Sequence, residues 1–260
     1  MTNLVLETLF NRRSIRAFED RPLKAETREL ILKATLRAPT AGNMMLYSIL
    51  EISDLQLKME LARSCDNQPF IAKAPMVWIF LADWQRWFDA FIHAGAREFS
   101  KSLEKEFRLP GEGDMLLACS DALIAAQQSV IAAESLGVGS CYIGDIIENF
   151  EFHQKLLDLP LYTVPICMLV YGYPTPQQKA RPLTSRFDPQ FVLHTNRYQR
   201  LSANQLDEMF LDKDKMIGPA YITKGIDRYA LAMYMRKFDS EFSREMTRSA
   251  KLIINQWKTN

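Results

Sequence analysis

Histidine is scarce in this chain, at three in 260 residues, and cysteine is little commoner, at four. No two cysteines share a CxxC spacing, and His93, His153 and His194 fall in no ligand-like cluster, so neither a zinc site nor a redox dithiol is expected. Scattered thiols at Cys65, Cys119, Cys141 and Cys167 suit a reducing, cytoplasmic setting. An excess of one charge is also missing: 32 Lys and Arg stand against 31 Asp and Glu, a formal net charge of +1. A surface that tracks nucleic-acid phosphates shows as a basic excess, so nucleic acid is not the expected partner. The opening MTNLVLETLF has no basic region followed by an apolar run, and no signal peptide is expected. The longest apolar runs, such as residues 122–126 and 165–170, are far too short to span a bilayer, so no membrane is expected either.

What is there suits a globular protein, with 48% hydrophobic and 24% charged residues. Apolar spacing predicts helices over residues 2–10 and 24–37, the second with Leu30, Ile31, Ala34 and Thr35 on one face after Pro22. A Pro/Thr/Gly/Asn loop then leads into an alternating strand at 47–52, followed by helix at 54–63. "APMVWIFLADW" (74–84) and "TVPICMLVYGYP" (163–174) are continuous apolar runs, the pattern of buried central strands. Between them, helices are predicted at 87–108, 115–136 and 150–157. The helix at 115–136 is rich in small residues and stops at Gly137. "GVGSCYIGDI" (137–146) reads as a glycine-punctuated turn and short strand. The charged tail is predicted helical at 225–238 and 241–257. With no internal repeat or Ser/Gly linker, the pattern favours one α+β domain, its last 70 residues an extension.

"NRRSIRAF" (11–18) concentrates positive charge in an otherwise neutral chain. Arg12 and Arg13 could simply end the first helix, where cations favour the dipole by a few tenths of a kcal/mol. Arg16 lies beyond the helix beside Ser14, and guanidinium groups with a hydroxyl are the donor set of a phosphate cradle. "QQKARPLTSRF" (177–187) adds Lys179 and Arg181 on a loop at a strand end, where ligands of sheet proteins commonly bind. A solvated charged loop is the alternative, and the two segments matter jointly only if the fold joins them.

The glycines of 137–144 do not make a dinucleotide fingerprint, because here the helix precedes them, and no GK[ST] P-loop exists. Gly137 reads as a helix C-cap. Gly139 and Gly144, around Tyr142, read as backbone kept bare for the close approach of a flat ligand. "APTAGNMM" is by composition a turn, His93 receives no role, and the charge run 104–108 reads as a wet helix face.

In this order, these segments resemble the nitroreductase family of FMN flavoproteins, and within it the NADPH-dependent nitro/flavin reductase branch with a long C-terminal tail. The likeness spans nearly the whole chain. Its motifs are Arg12-Arg13-Ser14-Ile15-Arg16, Pro39-Thr40-Ala41-Gly42-Asn43, Gln68 in "CDNQPF", the element from Gly137 to Gly144, and Lys179-Ala180-Arg181. One departure is Asp145, where many members of the branch carry a second glycine. A carboxylate near the flavin would make an anionic reduced flavin harder to form unless it points away.

The resemblance implies an α+β fold with a mixed, mainly antiparallel sheet flanked by helices, in a homodimer. One FMN-binding domain would cover residues 1–260, with about 190–260 as the extension. FMN would be held by Arg12, Arg13, Ser14, Arg16, Lys179 and Arg181 at its phosphate and pyrimidine edge. Gln68, Tyr142, Ile143 and Gly144 would also bind the cofactor, with Tyr142 alongside the ring and the Gly144 amide donating to N5. Pro39, Thr40, Ala41 and Asn43 would reach it from the partner subunit. The implied activity is hydride transfer from NADPH (or NADH) to nitroaromatic, quinone or flavin acceptors by a ping-pong cycle. No side chain would act as nucleophile or obligatory base, and no metal is implied. Arg197, Arg200, Lys213, Lys215, Lys224 and Arg228 are the tail cations available for the 2′-phosphate of NADPH. The same residues would serve a flavin-binding regulatory or storage protein without turnover. They would serve equally a relative that acts on a dedicated metabolite, by reductive dehalogenation or flavin fragmentation.

Overall fold

The computed structural model describes residues 3–258; Thr2, where the first helix was expected to begin, and the last two residues of the expected extension lie outside them. The chain divides by packing into two compact units, Met1–Pro182 with Met246–Asn260, and Leu183–Glu245.

The first unit opens with α1 (Leu4–Asn11), whose first amides are taken up by the Asn3 side chain, and α2 (Ala25–Thr35). Strand β1 (Tyr47–Glu51) leads to α3 (Leu55–Ser64), capped by Asp54, then α4 (Phe70–Lys73) and β2 (Met76–Asp83). Helices α5 (Gln85–His93), α6 (Ala96–Ser102) and the 24-residue α7 (Glu112–Ser135) follow. β3 (Gly139–Ile143), α8 (Phe150–Leu156), β4 (Thr163–Gly172) and α9 (Pro176–Ala180) complete the run.

The four strands form one antiparallel sheet in the order β1-β2-β4-β3. The two long apolar runs are its centre, as expected, and every residue of β2 is buried. Side chains of a strand alternate between faces. Trp78, Phe80, Leu169 and Tyr171 therefore pack with α2 and the alanine-rich face of α7, through Ala122, Ala125, Ala126 and Ala133. Val77, Ile79, Met168 and Val170 meet Leu61 of α3 and Ile71 of α4 on the other side. Pro165 has no amide to give the ladder, and the register shifts beside it, between Phe80 and Leu81.

Some expectations for this unit need correction. The segment 87–108 is not one helix: Gly95, at φ 79°, separates α5 from α6, and Glu104, at φ 56°, ends helical structure. The charge run 104–108 is consequently irregular chain, and Arg108 pairs with Asp114 at 2.6 Å. Apolar runs also understated α7, which by length and composition could cross a membrane. In the fold that apolarity serves the core, with Ala118, Ala122, Ala125, Val130 and Ala133 fully buried.

The second unit holds α10 (Ala203–Asp214), whose start is fixed by a reciprocal Ser202–Gln205 capping box, α11 (Pro219–Ile222) and α12 (Tyr229–Met233). The helix expected at 225–238 starts later, after Gly225 at φ 75°, and ends in a π turn, Tyr234–Phe238. The last helix, α13 (Glu241–Gln256), ends within the first unit. There Arg248 grips Glu151 through both guanidinium ends, at 2.7 and 2.9 Å, and Trp257 packs edge-on against Tyr162.

Candidate active site

The chain after α1 lies along the sheet edge and the exit of β4. Ile15 N donates to the Ser140 carbonyl at 2.8 Å, Glu19 N to that of Tyr173 at 2.8 Å, and Thr175 N to that of Ala17 at 3.3 Å. Two glycines allow this approach. A Cβ on Gly139 would collide with Ile15, and one on Gly172 would stand 2.6 Å from the Phe18 ring and 2.8 Å from Pro75. Gly139 is therefore bare for Ile15, not for a flat ligand. At Gly144, by contrast, a Cβ would meet nothing within 4 Å, so the space over it is open.

This docking joins the two basic segments. Arg13 Nη1 donates to the Lys179 carbonyl at 2.5 Å and also to the Arg181 carbonyl. Gln178 Oε1 accepts from Arg16 N at 3.1 Å and from Arg181 Nη1 at 3.2 Å. Lys179 Nζ stands 3.7 Å from Glu19. Among the described residues, no carboxylate forms an ion pair with Arg12, Arg13, Arg16 or Arg181. The result is a patch of positive charge lying along β3, in which Lys179 pairs with Glu19. Burial pushes the Cys141 thiol up, while Arg16, a Ser14 hydrogen bond and Arg12 oppose that shift, which sets all three beside β3.

The patch adjoins an open cavity of 470 Å³ between α1 and α7, lined by Leu4, Thr8, Asn11, Ile131 and Glu134 among others. Glu134 sits in the last turn of α7, at the negative end of the helix dipole. Burial pushes its carboxyl up to about 7 although Arg12 and Arg13 pull it down, and Oε1 has no hydrogen-bond partner among the described residues.

Along β3, Cys141 and Ile143 point inward and Tyr142 outward, its hydroxyl 3.4 Å from Gln127 Oε1. Gly144 then leads into a 3-10 turn, Asp145–Ile147. Gln68 follows Asp66 and Asn67, at φ 59° and 49°, and its side-chain amide donates to the Cys65 carbonyl at 2.9 Å.

The loop 39–43 is built differently. Buried Asp121 of α7 accepts from the Thr40 hydroxyl, from Ala41 N at 2.9 Å and from Leu46 N at 3.0 Å. Those bonds hold Gly42, Asn43 and Met45 in left-handed conformations. From Asp121 to Glu134, α7 advances about 20 Å at 1.5 Å per residue. Within one chain, the loop and the arginine patch are thus anchored well apart.

The fold therefore gathers Arg12, Arg13, Ser14, Arg16, Lys179 and Arg181, carries Tyr142, Ile143 and Gly144 along the adjoining strand, and leaves Pro39, Thr40, Ala41 and Asn43 elsewhere. Gln178, Asp121 and Glu134 escaped the reading of the sequence. Carboxylates set among the apolar residues of α7 were the available signal for the last two.

An antiparallel sheet flanked by helices, with guanidinium and ammonium groups gathered at its edge, offers the donor set an anion needs. The model of the nitroreductase family matches residues 9–173, and the chain belongs to that family. Among curated relatives, the FMN reductase (NADPH) of Bacillus subtilis is 34% identical over 196 residues, 75% of each chain. The oxygen-insensitive NADPH nitroreductase of Salmonella typhimurium is 31% identical over 221 residues, 85% of this chain and 83% of that one. The solved structure of B. megaterium NfrA1 superposes with a TM-score of 0.79 at 27% identity, covering 98% of this chain and 99% of its own.

Proposed function

We propose that this chain, a flavin oxidoreductase of the nitroreductase family using FMN and NAD(P)H, carries hydride from NADPH to a nitroaromatic, quinone or free-flavin acceptor. Donor and acceptor would occupy one site in turn, in a ping-pong cycle. The observation that carries the reading is the Arg13 link, which makes one patch of two segments 166 residues apart in sequence. Its donor set fits the phosphate of FMN: guanidinium groups with no ion pair among the described residues, a serine hydroxyl and a lysine beside them. The open space over Gly144 fits the close approach of a flat ring.

When bound, FMN supplies the atom that accepts and returns hydride. The chain's own part is to bind, orient and exclude water. Arg12, Ser14, Arg16, Lys179 and Arg181 would hold the phosphate and pyrimidine edge, with Arg13 fixing the carbonyls behind Lys179 and Arg181. The Gly144 amide would donate to N5, and Gln68, Tyr142 and Ile143 would line the ring.

A homodimer completes the arrangement. Loop 39–43 is anchored too far along α7 to join its own chain's cradle, and a second copy would deliver it. Apolar side chains left outward on α1 and α7, including Leu4, Phe10, Leu116 and Leu117, support such an interface. Four free thiols support a reducing, cytoplasmic setting.

Reconstitution tests the reading. Purified protein should take up one FMN per chain, NADPH should bleach it without oxygen, and a quinone should restore it. Flavin that binds but is not reduced would instead indicate a regulatory or storage protein.

A further inference from the structure

Behind the Gly144 turn lies a partly buried polar pair that the proposed cycle does not use. His153, on α8, is fully buried. Its Nδ1 is 2.9 Å from the Ile146 carbonyl and its Nε2 is 2.8 Å from the Ser64 hydroxyl. A carbonyl only accepts, so Nδ1 carries the proton and Nε2 accepts from the serine. Burial pushes the ring's pKa down, which keeps it in this neutral form. The Ser64 carbonyl is held from the same side, by the Asn149 side-chain amide at 3.3 Å.

The two ends of this clasp belong to two different site loops. Ser64 closes α3, and four residues later comes Gln68, through two left-handed residues. Ile146 lies in the turn that begins directly after Gly144. Cys65 fills the space between, fully buried, its thiol pushed up to about 12 first by burial and then by Asp145. Backbone in such loops is otherwise free to shift by fractions of an ångström, and hydride transfer is sensitive to displacements of that size.

We propose that Ser64 and His153 are positioning residues that set the gap between the Gln68 side chain and the Gly144 amide, and thereby the seat of the flavin ring. This rests on the reading that those two groups flank the flavin.

The test compares FMN-loaded wild type with Ser64→Ala, Ser64→Thr and His153→Asn. The asparagine can keep the donor to Ile146 while losing the serine. The cradle is untouched, so Ser64→Ala and His153→Asn should retain FMN within about threefold of wild-type affinity. Their rate constant for reduction by NADPH should fall at least fivefold with the nucleotide's Kd unchanged. The midpoint potential of the bound flavin should move, and amide exchange should quicken in 66–68 and 144–147 together but not in β2. Ser64→Thr, which keeps the hydroxyl, should restore all of these. The proposal is overturned if rate and potential stay at wild-type values, if exchange quickens throughout the sheet, or if threonine fails to rescue. Wild type that binds no FMN would overturn the underlying reading instead, while joint exchange of the two loops would still report the clasp in the cofactor-free chain.

Discussion

Arg13 donates from one guanidinium nitrogen to the backbone carbonyls of both Lys179 and Arg181, at 2.5 Å to the former. An arginine spent on main-chain oxygens grips no phosphate with that nitrogen, and its value is to hold two other cations in place. Arg13→Ala should therefore weaken FMN binding although its main bonds are to protein. Arg13→Lys should rescue little, because an ammonium lacks the planar fork. Equal affinity of wild type and both variants in equilibrium dialysis would refute this.

Arg16 and Lys179 are two of the five residues proposed to hold FMN directly. Each alanine variant removes one charge-assisted bond worth roughly 1.5–3 kcal/mol, about 10- to 150-fold in FMN affinity. Fluorescence titration of apoprotein measures it, and retention of FMN by both variants as tightly as by wild type would sink the two-segment cradle.

Glu134 predicts a pH dependence. Its folded-state carboxyl titrates at about 7, above the ordinary carboxyl range, because burial disfavours its charge. The stability contributed by the neutral form is complete below the unfolded-state pKa and is lost as pH rises through 7. Thermal midpoints of the apoprotein should fall between pH 5 and 8, and Glu134→Gln should flatten that limb. An unchanged slope in the variant would show that other groups cause it.

Asp121 organises loop 39–43 from inside α7. Asp121→Ala strands a hydroxyl and two amides at partly or fully buried positions, at roughly 1–3 kcal/mol for each donor that water cannot reach. A net loss of about 2–4 kcal/mol in urea denaturation is expected. A loss under about 0.5 kcal/mol would mean the loop stands without it.

The tail narrows the choice of residues for the NADPH 2′-phosphate. Arg228 is held by Asp207 and Asp214, Lys215 by Asp212, and Lys213 lies over the Phe187 ring near Ser185. Arg197, Arg200 and Lys224 have no ion-pair partner among the described residues, and Arg200 lines a 190 Å³ cavity with His194 and Gln199. Arg200→Ala should raise KM for NADPH by roughly 10- to 150-fold and leave the NADH reaction almost unchanged. Unaltered nucleotide preference in Arg197→Ala, Arg200→Ala and Lys224→Ala alike would exclude the tail from this role.

The central strands were plain in the sequence because each residue of 76–83 is apolar or small until Asp83, and only full burial explains such a run. The breaks were not. Gly95 interrupts a helix by adopting φ 79°, which composition alone does not reveal when the flanking residues favour helix. At the site, charge density at Arg12, Arg13 and Arg16 was visible, whereas the use of Arg13 depends on carbonyls 166 and 168 residues away. Gly139 misled for the same reason: a bare backbone is legible, but the atom that needs it, on Ile15, is brought there by the fold. The tail's cations looked abundant until Asp207, Asp212 and Asp214 were seen to hold two of them.

The measurement that bears most directly on the central claim is anaerobic titration of FMN-reconstituted protein with NADPH, followed in the visible flavin band. The account predicts one FMN per chain, complete bleaching by one equivalent of NADPH, and full return of the band on adding a quinone. Protein that takes up no FMN, or flavin that stays oxidised under excess NADPH and NADH, would contradict it.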